Sequence, residues 1–295
     1  MGEKGKTPVK YALICALSAL IVSALVLLCG PAKAEPVQPS FSPSNFTPGA
    51  PINNIYFPLV PGTTFRSSAT ITDPDTGEKS NEVDEDFVSF QTKQIAGVRV
   101  RVVRSRVFSD GVLAEDTNDY YAQDKSGNVW YMGEDTKAFE RDDQGNIIST
   151  DTTGTWRAGV HGDVPGFIMP ANPTVGFFYF QENAPQDQAQ DQAKVLSLNE
   201  KVTVPAGSFS NVLETEETTP LEPGLHENKF YAPGVGPILA IEDISADFAG
   251  NRLSLESVTT SNAIPLPPAF GPGIVCVLGM FCVYAVSRRR RALRV

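Results

Sequence analysis

The chain has 295 residues, a hydrophobic content of 41% that is ordinary for a globular protein, and 24 Lys and Arg against 34 Asp and Glu. The charge is segregated: nine basic residues lie at the two ends, while between Glu35 and Ala263 there are 33 acidic residues against 15 basic, a formal net charge of −18. Phosphate would repel such a body, which argues against nucleic acid as a partner, and the composition is that of a soluble acidic domain with basic tips.

At the N-terminus, Lys4, Lys6 and Lys10 precede an uncharged run from Tyr11 to Leu28. Ala32-Lys33-Ala34 then puts small residues at the two positions a signal peptidase reads, so residues 1–34 are expected to be a signal peptide cut after Ala34. An uncleaved signal anchor is the alternative. All four cysteines (Cys15, Cys29, Cys276 and Cys282) fall in the terminal hydrophobic segments, which leaves the body without disulfides and dependent on its own core. Residues 35–54 are assigned to a flexible linker and 55–260 to an extracytoplasmic domain.

That domain reads as β throughout. Val98, Val100 and Val102 alternate with Arg99 and Arg101. Val102-Val103 breaks the phase, and Arg104 and Arg106 resume it out of step, which predicts a bulge. Asp110-Gly111 predicts a tight hairpin, and "DKSGN" at 124–128 and "DDQGN" at 142–146 repeat turn chemistry. Further strands are expected at 176–181, 194–204, 208–217, 228–231 and 238–244, with the main irregular crossover between His161 and Gly176. Long antiparallel strands with bulges curve, so the expected fold is all-β, a curved antiparallel meander sheet or open β-barrel; a β-sandwich is the alternative.

The chain ends in "IPLPPAFGPGIVCVLGMFCVYAVSRRRR", from Ile264 to Arg291. A hydrophobic helix over about 270–287 is followed by Arg288, Arg289, Arg290 and Arg291, a basic stop that should stay cytoplasmic and leave the body outside. The uninterrupted apolar stretch is only 14 residues, about 21 Å as a helix and short of a bilayer core. The motif Ile264-Pro265-Leu266-Pro267-Pro268-Ala269, the short helix and the arginine cluster together resemble the PEP-CTERM class of bacterial sorting signals in its VPLPA-like variant. Ile264 stands where valine is usual and a second proline precedes Ala269. The resemblance implies an exosortase-like membrane protease as a processing partner beside signal peptidase, an inner-membrane intermediate held by the C-terminal helix, and final residence at the cell surface, in biofilm matrix or in the medium. A plain single-pass anchor is the alternative. "YYAQDKSGNVWYMGEDT", "VPAGSFSNVLETEETTPLEPG" and "ENKFYAPGVGPI" are similar to a domain recurring in uncharacterised exported bacterial proteins, with no assigned activity.

For chemistry the body offers little. Nucleophile-elbow, phosphate-loop and zinc-protease patterns are absent, and His161 and His226 give a histidine-based metal site or triad little to build on. No cofactor, metal or catalytic residue is therefore expected. The acidic pairs Glu115-Asp116, Glu134-Asp135 and Asp142-Asp143 raise a carboxylate-dependent hydrolase as an alternative. "DPDTGE" at 73–78 and "DKSGN" raise calcium, with hairpin turns the plainer reading. Tyr120, Tyr121, Trp130, Tyr131 and Trp156 form a candidate ligand face, for stacking on a sugar or lining an apolar cavity, with cross-strand packing as the plainer reading. The expected function is a structural or binding protein of the cell surface or matrix, with extracellular polysaccharide a candidate partner.

Overall fold

In the computed structural model, which describes residues 35–142 and 144–261, the period-two patterning becomes strands from end to end. A small hairpin, β1 (Ile52–Asn54) and β2 (Phe57–Leu59), precedes a meander of β3 (Thr63–Thr72), β4 (Lys79–Ile95), β5 (Val98–Ser109), β6 (Val112–Gln123) and β7 (Val129–Asp135). The short strands β8 (Ala138–Arg141) and β9 (Ile147–Asp151) form a hairpin off β6, and β10 (Trp156–Arg157) pairs with β7. After β11 (Val164–Met169), β12 (Phe178–Phe180) and β13 (Glu182–Asn183) comes a second meander: β14 (Gln192–Val204), β15 (Gly207–Thr218), β16 (His226–Ala232), β17 (Gly236–Ile244) and β18 (Asn251–Thr260).

The two meanders are one sheet. β18 pairs antiparallel with β3 from Ser254↔Ser68 to Thr260↔Thr63, which rules out a sandwich of two separate sheets. On the far side β7 pairs with β11, β11 with β13, and β12 with β14. Only Gln181 separates β12 from β13, so a single stave, broken at Gln181, brings the sheet round on itself into a nearly closed antiparallel barrel. The Gly166 amide reaches the Gln181 carbonyl at 3.1 Å across this seam.

Turn chemistry sets the hairpins. Asp110 and Gly111 take φ of 48° and 81°, the mirror-image turn that matches strand twist, as the dipeptide predicts. Ala96 and Gly97 form the same turn at 45° and 81°, where alanine gives no warning of it.

The bulge expected at Val102-Val103 is not on β5. Its pairing with β6 is regular from Arg101↔Tyr121 to Val107↔Glu115, and the irregularity lies opposite, in β4 between Val88 and Thr92. The phase break instead marks a change of buried face. Val98, Val100 and Val102 are covered on one side of the sheet, while Val103, Ser105 and Val107 are covered on the other.

What covers the first side is the segment expected to be a flexible linker, which is a second correction. Val37 bridges to Tyr179, Phe46 bridges to Asp124, and Phe41 and Phe46 pack their rings on Trp130 at 5.6 and 5.9 Å. Residues 36–54 are thus a strap that begins on β12, runs over the outside of β7 and β5 and ends in β1, held because its aromatic side chains have an apolar patch to bury. At the other end Ser261 is pinned to Gly62, its amide donating to that carbonyl at 2.9 Å. No helix of the described residues is long and apolar enough to cross a membrane. The expected span at 270–287 lies outside the described residues, as do Ala32 and Ala34, Ile264 to Ala269, and Arg288 to Arg291.

Candidate functional site: a carboxylate-lined barrel interior

Directly opposed residues on paired strands share a face. Asp84 opposes Val107, which opposes Glu115; Asp119 opposes Glu134; Tyr121 opposes Tyr131; and Leu213 opposes Tyr231. Phe57 of the small hairpin touches both Tyr121 of β6 and Tyr231 of β16, with centroids 5.4 and 6.4 Å away. Those two strands stand on opposite walls of the ring, so this face looks into the barrel and Phe57 plugs it.

The interior is acidic. Glu82, Asp84, Asp86, Glu115, Asp119, Glu134, Glu217 and Glu242 are all buried, and Lys229 is the only Lys or Arg that the described residues bury. Lys229 Nζ lies 2.6 Å from Glu217 Oε2 and 3.0 Å from Glu227 Oε2. Burial works to lower its pKa, but Glu217, Glu227 and Tyr231 hold it above the usual lysine range. Burial, then the Asp86 and Glu115 carboxylates, push Asp84 well above the carboxylate range. Glu242 is raised likewise by burial and then by Glu227 and Asp84, so carboxyls on β17 and β4 repel across two intervening strands. Asp84 Oδ1 and Glu242 Oε2 are fully buried without a hydrogen-bond partner.

The aromatic set divides between the two faces, and all five side chains are buried. Tyr121 stacks on Tyr131 at 5.1 Å and Trp156 meets Tyr131 edge-on at 5.5 Å, inside the barrel. Tyr131 donates to Asp119 Oδ1 at 2.6 Å. Trp130 and Tyr120 point the other way. Trp130 donates its Nε1 proton to Asp124 Oδ2 at 2.9 Å beneath the strap, and Tyr120 donates to Asp135 Oδ2 at 2.6 Å. Tyr121, Tyr131 and Trp156 pack on one another, Trp130 lies under the strap, and Tyr120 is covered by Lys93 and Arg157, so none of the five presents an open stacking platform.

Adjacent acids diverge for the same reason. Glu115 and Glu134 face inward, while Asp116 pairs with Arg104 at 2.7 Å and Asp135 pairs with Lys93 and Arg157 outside. Neither sequence-adjacent pair can flank one bond. In "DKSGN" the Asp124 Oδ1 accepts from the Ser126 and Asn128 amides, and Asp73 Oδ1 accepts from those of Asp75 and Thr76, so both aspartates serve their own turns. His226 opens β16, and His161 sits in the crossover loop 3.1 Å from Asp187. The acid-lined interior escaped the sequence reading, although acids at alternate positions Glu82, Asp84 and Asp86 were a signal for it. At one barrel end a mixed cleft of about 590 Å³ opens between β3, β18 and the β14–β15 and β16–β17 turns, with Phe65, Phe209, Val235 and Leu255 in its wall.

No family model matches the chain, and no curated protein matches it. It is similar to a crystal structure of an exported protein with a YmcC-like fold from Bacteroides fragilis, at 14% identity and a TM-score of 0.36, covering 70% of this chain and 100% of that one. It is also similar to the structure of a lipoprotein from Parabacteroides distasonis, at 12% identity and a TM-score of 0.34, covering 70% of this chain and 99% of that one. Neither likeness assigns an activity.

Proposed function

We propose that the chain is an exported binding or structural module of the bacterial cell surface or extracellular matrix, released from its terminal signals by signal peptidase and an exosortase-like protease. The observation that carries this reading is that the described strands all lie between the two expected cuts. Among the described residues the first bridge is at Val37, three residues after Ala34, and Ser261, three residues before Ile264, is still held to Gly62. Cuts at both expected positions would keep every strand of the described residues, β1 to β18, in the product. The resemblance of the tail to PEP-CTERM signals and the acidic, cysteine-free body support the same route.

The intact mass of the mature protein from its native host, with both ends mapped, tests the proposal. The expected product begins after Ala34 and ends between Ile264 and Pro268. A product that keeps Arg288 to Val295 would mean a membrane-anchored domain and would remove the exosortase. Retention on extracellular polysaccharide in a pull-down tests the matrix partner. A second reading, carriage of an apolar ligand, is favoured by the cleft at the barrel end, whose volume lies within the range of small-molecule sites. Lipid co-purifying with the mature protein, and lost on Phe209→Asp, is its expected mark.

A further inference from the structure

Three side chains that are far from obvious partners in sequence meet at the seam where the barrel closes. Val164 pairs with Asn183, so Asp163 stands beside the end of β13, and the short 3-10 turn Pro185–Asp187 folds Asp187 back towards it. The Asp187 carbonyl accepts the Gly154 amide at 3.0 Å, which fixes that turn against the loop before β10. His161 arrives from the loop between β10 and β11, where its own φ of 51° and the 92° of Gly162 reverse the chain. One nitrogen of His161 and one carboxylate oxygen from each aspartate lie within 4.8 Å of one another, with His161 Nδ1 3.1 Å from Asp187 Oδ2.

A second observation concerns Asp163 alone. It is only 5% exposed, and its Oδ2 is buried with no hydrogen-bond partner. A buried carboxylate oxygen facing a second carboxylate needs a proton or a cation between them.

We propose that His161, Asp163 and Asp187 bind one divalent transition cation, zinc or manganese, which clamps the closing seam of the barrel. An imidazole nitrogen with two carboxylates suits these ions, and the +2 charge neutralises both aspartates. Calcium, which takes six to eight oxygen ligands, fits a three-donor set with one nitrogen poorly. The ion would tie the β10–β11 loop to the turn after β13, beside the stave broken at Gln181. This is independent of how the termini are processed.

The test is isothermal titration of zinc chloride and manganese chloride into the protein as isolated from its host and dialysed against EDTA, with thermal melts alongside. The expected result is one equivalent bound by one of the two ions, a raised Tm at saturation, and binding weakened about tenfold or more in both His161→Ala and Asp163→Asn. His161 is mostly exposed, so its variant keeps the fold even if Asp163→Asn does not. Asp84→Asn, in the barrel interior, should bind as the parent does. Absence of saturable binding overturns the site. So does binding that survives His161→Ala but is lost in Asp84→Asn, which would move the ion into the interior.

Discussion

Lys229 and Glu217 are out of water and Glu227 is half-buried beside them, and their mutual attraction is what makes that burial tolerable. Truncating the lysine leaves carboxylates buried without a counter-charge, so Lys229→Ala should cost about 3–5 kcal/mol in a urea titration. A loss under about 1 kcal/mol would mean that the carboxyls simply take up protons. Asp124 and Asp142 offer a matched comparison, because both accept from the amides two and four residues ahead in the same turn. Asp124 alone also receives the Trp130 indole proton in a buried setting. Asp124→Ala should therefore cost about 1–3 kcal/mol more than Asp142→Ala, since an unpaired buried donor is left behind; equal costs by the same titration would assign the whole effect to the turn.

At the scale of elements, the seam and the strap decide whether the barrel stays shut. A Cβ on Gly166 would lie 2.1 Å from the Phe180 carbonyl oxygen, backbone that cannot give way without parting β11 from the broken stave. Gly166→Ala should destabilise by about 1–3 kcal/mol or more and speed hydrogen exchange at the Gly166 amide relative to β4 and β5. Unchanged exchange there would show the seam to be looser than the geometry implies. In the strap, Phe46→Ala should cost about 3–5 kcal/mol and shift Trp130 emission to the red, because the ring shields that indole. A true linker would show neither effect.

At the scale of the whole molecule the acidic interior sets the response to pH. Asp84 and Glu242 titrate above their unfolded values, so the native state binds more protons than the unfolded chain from about pH 4 upward. Their contribution is most favourable below that window and is lost as pH rises through the raised values. Asp135 works the other way. Burial opposes its charge, but hydrogen bonds from Tyr120 and Arg157 bring it below the usual range, so its stabilisation fades as the solution becomes acid. The two interior carboxyls dominate because they are fully enclosed and face Asp86, Glu115, Glu227 and Asp243, with Lys229 the one buried Lys or Arg among the described residues. Thermal melts should show Tm falling from pH 5 to pH 8, with a shallower slope in Asp84→Asn. A flat parent profile would mean the interior is neutralised by something other than protons.

Patterning by itself determined the all-β class, the curvature and nearly all of the long strands, because period-two alternation and Asp-Gly turns are local properties. The expected signal peptide and the resemblance of the tail to a sorting signal rest on equally local patterns at the two ends. Residues 36–54 could not be read as a strap, since a short polar and proline-rich segment with two phenylalanines looks like a linker until its apolar patch exists. Likewise Val102-Val103 has the sequence of a bulge, and only the strap on one face and the interior on the other reveal a change of buried side. Tertiary structure alone decided that the sheet closes, that Glu115 parts from Asp116 and that His161, Asp163 and Asp187 converge. Those outcomes depend on pairings between residues far apart in the chain, whose energies come from the ring as a whole and leave no mark in any single stretch.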